Sequence, residues 1–304
     1  MSRLRCAFAA LLAATMLTSS PGAAQERIKV IASFSILADL VKSVGGERVD
    51  VVALVGPGSD AHVFAPTPAD ARRVAEARLV VVNGLGFEGW LDRLVKAAGG
   101  KATIVVATKG LKARKAGGDD HGSKNDRGHE VDPHAWQNVA NVKTYVANIR
   151  AALAAADPSG AAAYRANAAA YSAKLDALGA EVRSAVAKIP AARRKIITNH
   201  DAFGHFQAAY GIKFIAPQGV ATDSEPSARD VARIISQIKR QKIPAVFLEN
   251  VSDPRLMQRI AKETGARIGG TLYSDALTEA NGPAPTYLDM IRHNTTTLAG
   301  ALTS

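Results

Sequence analysis

Short runs of β-branched and aliphatic residues alternate with helix-period segments in two separate blocks of the chain, and one long helical stretch lies between them. In the first block residues 28–32, 49–55, 79–82 and 102–107 read as strands, with helices at 36–44, 67–77 and 87–98 between them. In the second, strands at 195–198, 213–216, 245–249 and 267–269 alternate with helices at 202–210, 228–241 and 254–264. A strand that returns to its sheet through a helix runs parallel to its neighbour, and the helices must cover both faces of the sheet. The expected fold class is therefore α/β: two α/β lobes, each built on a parallel sheet.

The stretch between the blocks carries the most regular pattern. Asp157 suits a helix N-cap, and Pro158 suits the first helical position. Tyr164, Ala168, Tyr171, Leu175, Leu178, Val182, Ala185 and Ile189 then follow in steps of four and three until Pro190 ends the run. A helix over 157–189 spans roughly 48 Å at ~1.5 Å per residue, long enough to pass both lobes as a strut. It also suits a hairpin with a helix over 138–156, and the two descriptions are compatible. A continuous helix between lobes permits less hinge closure than flexible linkers do.

At the N-terminus Arg3 and Arg5 precede an apolar run over 7–17 and the small residues of 19–24, the layout of a secretory signal peptide with cleavage after Ala24. The run is about half the ~20 residues of a membrane-spanning helix. Cys6, the one cysteine, lies before the run and leaves with it, which excludes disulfides, thiolate ligands and a lipid-bearing cysteine behind the cleavage site. The expected organisation is a signal peptide at 1–24, a first lobe at 25–156, the linking helix at 157–189 and a second lobe at 190–304. The expected location is the periplasm. A formal charge of +11 invites a nucleic-acid reading, but the basic residues are scattered, aromatic content is 5%, and the chain is read as exported. A solvated basic surface accounts for the charge.

Of seven histidines, three stand in unusual contexts, on connections that border strands or helices. His62 lies in GPGSDAHVFAPTPAD just past a strand, where open α/β sheets place ligand-binding loops. His134 lies in VDPHAWQNVAN ahead of a helix, and His200 in KIITNHDAFGHF after the first strand of the second block. They stand roughly seventy residues apart, far from the short spacings of local metal motifs, so only the tertiary fold can bring them to one site, as a cleft between lobes would. His205 reads as structural: five residues along a helix is a turn of about 140°, which points its ring away from that of His200. Residues 112–130, almost without apolar side chains, read as a flexible surface loop. His121 and His129, among Asp119, Asp120, Asp126 and Glu130, give that loop weak metal-collecting potential, alongside the plain reading of a solvated loop.

The strings PGSDAHVFAPTPAD, VVNGLGFEGWL, DPHAWQNVANV, NHDAFGHFQAAYG, TDSEPSARD and LYSDALT, in this order and with a long helix between the third and fourth, closely resemble the zinc- and manganese-binding solute-binding proteins of ABC transporters. The likeness spans nearly the whole chain after the signal peptide. It implies two α/β lobes joined by one long rigid helix, with a transition-metal ion in the cleft between them, delivered to a permease in the inner membrane. It also implies the ligands: His62 from the D-x-H loop, His134 from D-P-H-x-W, His200, and Asp275 from LYSDALT. The third position holds histidine in zinc-type members and glutamate in many manganese-type members, so His200 favours Zn(II) as the transported ion, with Mn(II), or iron, as the alternative. The chain departs from some zinc-binding members in lacking a long His-rich loop and a disulfide in the second lobe.

Three imidazoles and one carboxylate suit tetrahedral zinc, and four protein donors leave no coordination position for a reacting water. Binding and release are expected rather than catalysis, by a monomer with the permease as partner, a periplasmic metallochaperone as a further candidate partner, and no nucleic acid. The rival readings are a periplasmic zinc hydrolase, for which no general base is identifiable, and a chelate-binding protein of the same architecture, whose aromatic and arginine anchors are scarce in these strings. Glu225 is expected to cap the helix over 228–241. Glu249 suits either a place beside the site or an ordinary structural role.

Overall fold

The computed structural model describes residues 27–117 and 131–303. Residues 1–26, which contain the expected signal peptide, and residues 118–130 of the expected loop, with His121 and His129, lie outside them.

Strands β1 (Ile28–Phe34), β2 (Val49–Val55), β3 (Leu79–Val82) and β4 (Thr103–Val106) form the first sheet, in the order β2-β1-β3-β4 with every neighbouring pair parallel. Helices α1 (Ser35–Gly45), α2 (Pro68–Glu76) and α3 (Leu91–Ala97) connect them. The apolar run of β3 is buried at all four positions, as expected of an inner strand covered on both faces, whereas edge strand β4 buries only Val105. Helix α3 starts four residues later than the sequence pattern suggests. Gly84, Leu85 and Gly86 all have positive φ, and they fold the chain so that Glu88 turns back and accepts the backbone N–H groups of Asn83 and Gly84.

Next come α4 (Val139–Ala156) and α5 (Ala161–Ala187), an antiparallel pair joined at a single turn over Pro158–Gly160. Asp157 caps that turn, accepting from Gly160 N and also from Tyr164 Oη and Arg48 Nε. The 27 residues of α5 span about 40 Å. Its stripe of Tyr164, Ala168, Tyr171, Leu175, Leu178, Val182 and Val186 is buried.

The second sheet repeats the first: β5 (Lys195–Ile197), β6 (Lys213–Ile215), β7 (Ala245–Glu249) and β8 (Arg267–Leu272) stand in the order β6-β5-β7-β8, all parallel. Its helices are α6 (Gly204–Tyr210), α7 (Ala228–Gln241), α8 (Arg255–Thr264) and α9 (Tyr287–Thr303). The N-cap of α7 is Ser227, whose hydroxyl accepts from Asp230 N, and not Glu225 as the sequence suggested. A serine hydroxyl directly before the first turn reaches the free amides without the cost of holding a longer side chain in place.

Helix α9 was absent from the sequence reading. It packs on β8 and on α5, and α5 also packs on α1 and α6, so the long helix is braced by both lobes. One apolar core runs from β1 and β3 through α4 and α5 into Ile196, Phe247 and Tyr287 of the second lobe, and a separate cluster that includes Ile197, Ile234 and Ile260 lies under α7 and α8. The chain thus has two parallel-sheet α/β lobes on one long helix, as expected. Among the described residues no helix is long and apolar enough to cross a membrane.

Candidate metal centre

In both sheets the first strand is flanked by the second and the third, so the connections leave the carboxyl ends of the strands in opposite directions and open a crevice there. His62 follows β2, His134 follows β4, His200 follows β5 and Asp275 follows β8. One ligand atom from each of these four residues lies within 4.8 Å of the others. The structure therefore brings together all four residues singled out in the sequence, two from each lobe.

Each is held from behind. Asp60 accepts His62 N, Trp90 Nε1 donates to Ala61 O, and the Phe87 ring packs on the imidazole in a T-shaped contact with centroids 4.6 Å apart. Asp132 accepts from His134 N and stands 2.9 Å from His134 Nδ1, which leaves Nε2 facing the cluster. Arg114 pairs with the other oxygen of Asp132 at 3.2 Å. Burial acts to raise the Asp132 pKa, but the contact with His134 outweighs it and holds the carboxyl below its usual range. Behind this loop Tyr145 Oη donates to Asn83, which donates to Pro133 O.

In the second lobe Glu249 Oε1 accepts the backbone N–H groups of Asn199 and His200, and Oε2 lies 2.6 Å from His200 Nδ1. The peptide carbonyl before Asp275 takes Trp136 Nε1 at 2.9 Å and Gln137 Nε2 at 2.7 Å, tying its loop to the first lobe.

At the centre His62 Nε2 and His134 Nε2 are 3.3 Å apart. His200 Nε2 is 3.1 Å from Asp275 Oδ2, and His62 and His134 each approach an Asp275 oxygen at 3.6 Å. Both Asp275 oxygens are buried without a hydrogen-bond partner. Burial alone would push the Asp275 pKa up, but the field of His200 and His134 prevails and holds the carboxyl well below the usual range. The converse holds at His200: burial opposes its charge, yet Glu249 and Asp275 raise its pKa well above 6.5.

His205 stands outside the cluster, with Nε2 3.3 Å from Asp132 O and Nδ1 3.4 Å from Asn141 Nδ2. It is structural as expected, though for another reason: His200 precedes α6, bridging to Gln218, so the two histidines share no helix. Sequence reasoning missed Asp132, Glu88 and Asn83. A signal for Asp132 was present, because Asp60-Ala61-His62 and Asp132-Pro133-His134 repeat an aspartate two residues before the histidine, and in both the carboxylate caps the histidine N–H.

Comparison with known proteins fits this architecture. The family model ZnuA, zinc-uptake complex component A periplasmic, matches residues 30–301. The manganese-binding lipoprotein MntA of Halalkalibacterium halodurans is 33% identical over 279 residues, 91% of this chain and 89% of its own. The iron-binding protein YfeA of Yersinia pestis is 31% identical over 294 residues, 96% of this chain and 92% of its own. The solved structure of the periplasmic zinc binding protein TroA from Treponema pallidum superposes with a TM-score of 0.84 at 30% identity, covering 91% of this chain and all of that one. The chain thus belongs to the zinc-uptake component A family, the periplasmic metal-binding proteins that serve ABC transporters.

Proposed function

We propose that this protein captures one transition-metal ion, zinc in preference to manganese, on His62, His134, His200 and Asp275 and hands it to its ABC-transporter permease for import. The observation that carries the reading is Asp275: two buried carboxylate oxygens without hydrogen-bond partners, facing three imidazoles at 3.1 to 3.6 Å. A buried carboxylate in that state calls for a cation. A tetrahedral ion with bonds of ~2.0–2.1 Å sets its donors about 3.3 Å apart, matching these separations. A larger six-coordinate ion tolerates similar spacings, so metal choice rests on donor chemistry. Three nitrogens and one carboxylate favour zinc, while relatives described as manganese- and iron-binding make Mn(II) the second reading.

Four protein donors fill a tetrahedral site, so the ion is stored and released rather than used for hydrolysis. We further infer that residues 1–24 are a cleaved signal peptide, that lobes at 25–156 and 190–304 flank the linking helix at 157–189, and that the protein works as a periplasmic monomer. A metallochaperone that loads the site is a further inferred partner. Metal analysis of the purified protein, followed by competition between zinc and manganese, tests the reading. One equivalent of zinc retained against manganese is expected, and displacement of zinc by manganese overturns the zinc assignment. Substitution of His62, His134 or His200 by alanine should each weaken binding, and unchanged affinity in all three overturns the ligand set.

A further inference from the structure

The chain leaves β3 through three successive positive φ angles, 84° at Gly84, 57° at Leu85 and 80° at Gly86. Glycine adopts this region freely, but leucine is strained there, and such strain persists only where the surroundings hold it in place. Here Glu88 holds it. Its buried carboxylate accepts Ser33 Oγ at 2.7 Å and Asn83 N at 2.6 Å on one oxygen, and Gly84 N at 3.1 Å on the other. Thr108 Oγ1 donates to Asn83 O at 2.5 Å and fixes the start of the turn. A strained leucine and a buried carboxylate are both unfavourable in themselves, so what this turn places in the molecule needs an account.

The turn places Phe87. Its buried ring makes T-shaped contacts with two of the donor imidazoles, with centroids 4.6 Å from His62 and 6.0 Å from His134. Trp136 meets His134 at 5.2 Å and Phe87 at 4.9 Å, and Phe34 packs on both aromatic rings at 5.0 Å. The indole N–H of Trp136 is taken by Ser274 O, so these three side chains offer the centre no free polar atom. The side chains of the four donors are at most 4% exposed. One flank of the centre is thus an apolar wall, and Phe87 is the part of it that touches both histidines of the first lobe.

We propose that Phe87 is a specificity-determining residue for the metal, an apolar stop that keeps the ion to its four protein donors, and that Glu88 is the residue that positions it. The proposal rests on the four-donor reading. Zinc is complete in a tetrahedron, whereas manganese prefers an octahedron rich in oxygen. Even with both Asp275 oxygens bound, three imidazoles and one carboxylate supply five donors, one short of an octahedron. The missing donor would be a water. A buried water needs roughly two to four polar partners, and on the aromatic flank it finds none. An apolar surround of this kind controls which solvent molecules reach a metal and so acts on metal choice without touching the ion.

The test is the visible absorption of the Co(II)-loaded protein, read together with the zinc-to-manganese affinity ratio from competition titrations. Phe87→Ala opens space for water beside His62. Its cobalt absorption should fall towards that of an ion of higher coordination number, and the ratio should narrow by about 10-fold or more, the scale on which groups behind metal ligands act. Phe87→Leu keeps the flank apolar and should keep the wild-type spectrum and ratio. Glu88→Gln leaves the ring but loosens the turn, and should move both readouts in the direction of Phe87→Ala, less far. If Phe87→Ala does not fold, Phe87→Val carries the same test with a smaller opening. A variant with the flank opened that binds zinc more weakly but keeps the wild-type spectrum and ratio overturns the proposal, since lost packing alone has that effect. A change as large in Phe87→Leu as in Phe87→Ala overturns it too. A wild-type protein that shows no tetrahedral cobalt spectrum overturns the four-donor centre itself, a failure distinguishable from the others.

Discussion

Glu249 holds His200 at two levels: one carboxylate oxygen takes the backbone N–H of His200 and of Asn199, and the other lies 2.6 Å from the imidazole Nδ1. The ring is thereby turned so that Nε2 meets Asp275. Carboxylates behind a metal-bound histidine fix its orientation and raise its basicity, and their loss typically costs 10–100-fold in affinity. Glu249→Gln keeps an acceptor for the backbone but loses the charge. It is expected to bind one equivalent of zinc about 10–100-fold more weakly in a competition titration, and wild-type affinity would show that Glu249 serves the loop alone.

The first lobe has a comparable support, and a glycine of the second lobe is fitted to it. A Cβ on Gly204 would collide with Arg114 Nη1 and with Asp132 Oδ2, the two ends of the ion pair behind His134. Arg114 can swing aside, but Asp132 is fully buried and already engaged by His134. Gly204→Ala is therefore expected to lower stability by about 1–3 kcal/mol, the usual range for overpacking, and to weaken zinc binding through His134. Urea unfolding of the metal-free protein and a zinc titration measure the two effects separately. An alanine variant as stable as wild type would mean that the pair moves apart freely.

Much of this was legible from local pattern. The strands and helices that build the sheets follow hydrophobic period, and the three histidines stood out because each interrupts a connection rather than an element. Asp275 carried no local signal of its own, since one aspartate in a loop looks like any turn residue, and it entered only through resemblance. Helix α9 escaped because Asn294 and Thr295 interrupt its buried stripe of Tyr287, Met290, Ile291 and Leu298, and Asn294 is there to pin Tyr273 through its backbone. The supports of His134 were illegible for another reason. Glu88 meets Ser33, and Asn83 meets Pro133 and Tyr145, across separations of 50 to 62 residues that no periodicity encodes.

Asp39 supplies a pH dependence independent of metal. It sits on α1 and accepts Tyr287 N at the start of α9; Asp289, Lys42 and the Tyr171 hydroxyl are the other ionisable groups around it. Burial, reinforced by Asp289, raises its pKa from 3.8 to about 6 against the pull of the Tyr287 amide and Lys42. The folded state thus holds the proton more tightly than the unfolded one. Its stabilising contribution is complete below about pH 4 and is lost as pH rises through 6, a change of at most about 3 kcal/mol. Asp39→Asn keeps an acceptor for Tyr287 N and has no charge to bury. In urea unfolding of the metal-free protein it should gain on wild type between pH 4 and 7, and a constant difference across that range would rule out this role.

Ser274 O joins the lobes, because Trp136 Nε1 and Gln137 Nε2 of one lobe both donate to it in the other. Leu277 N donates to Ser35 Oγ, Tyr287 Oη donates to Trp136 O, and Gly58 N donates to Leu277 O. Wide hinge opening would break these bonds together, several of them buried, and would pull apart the core that both lobes share. Zinc is therefore expected to change the loops around His62 and Asp275 while leaving the relation of the lobes nearly constant. Small-angle scattering should give the same radius of gyration for metal-free and zinc-loaded protein, and hydrogen exchange should show zinc protecting the His62 and Asp275 loops. Asp275→Ala should lose both that protection and the rise in melting temperature that zinc confers on wild type, since only an ion bound to the folded state stabilises it. A large contraction on zinc binding would place the release step in lobe movement instead of in the Asp275 loop.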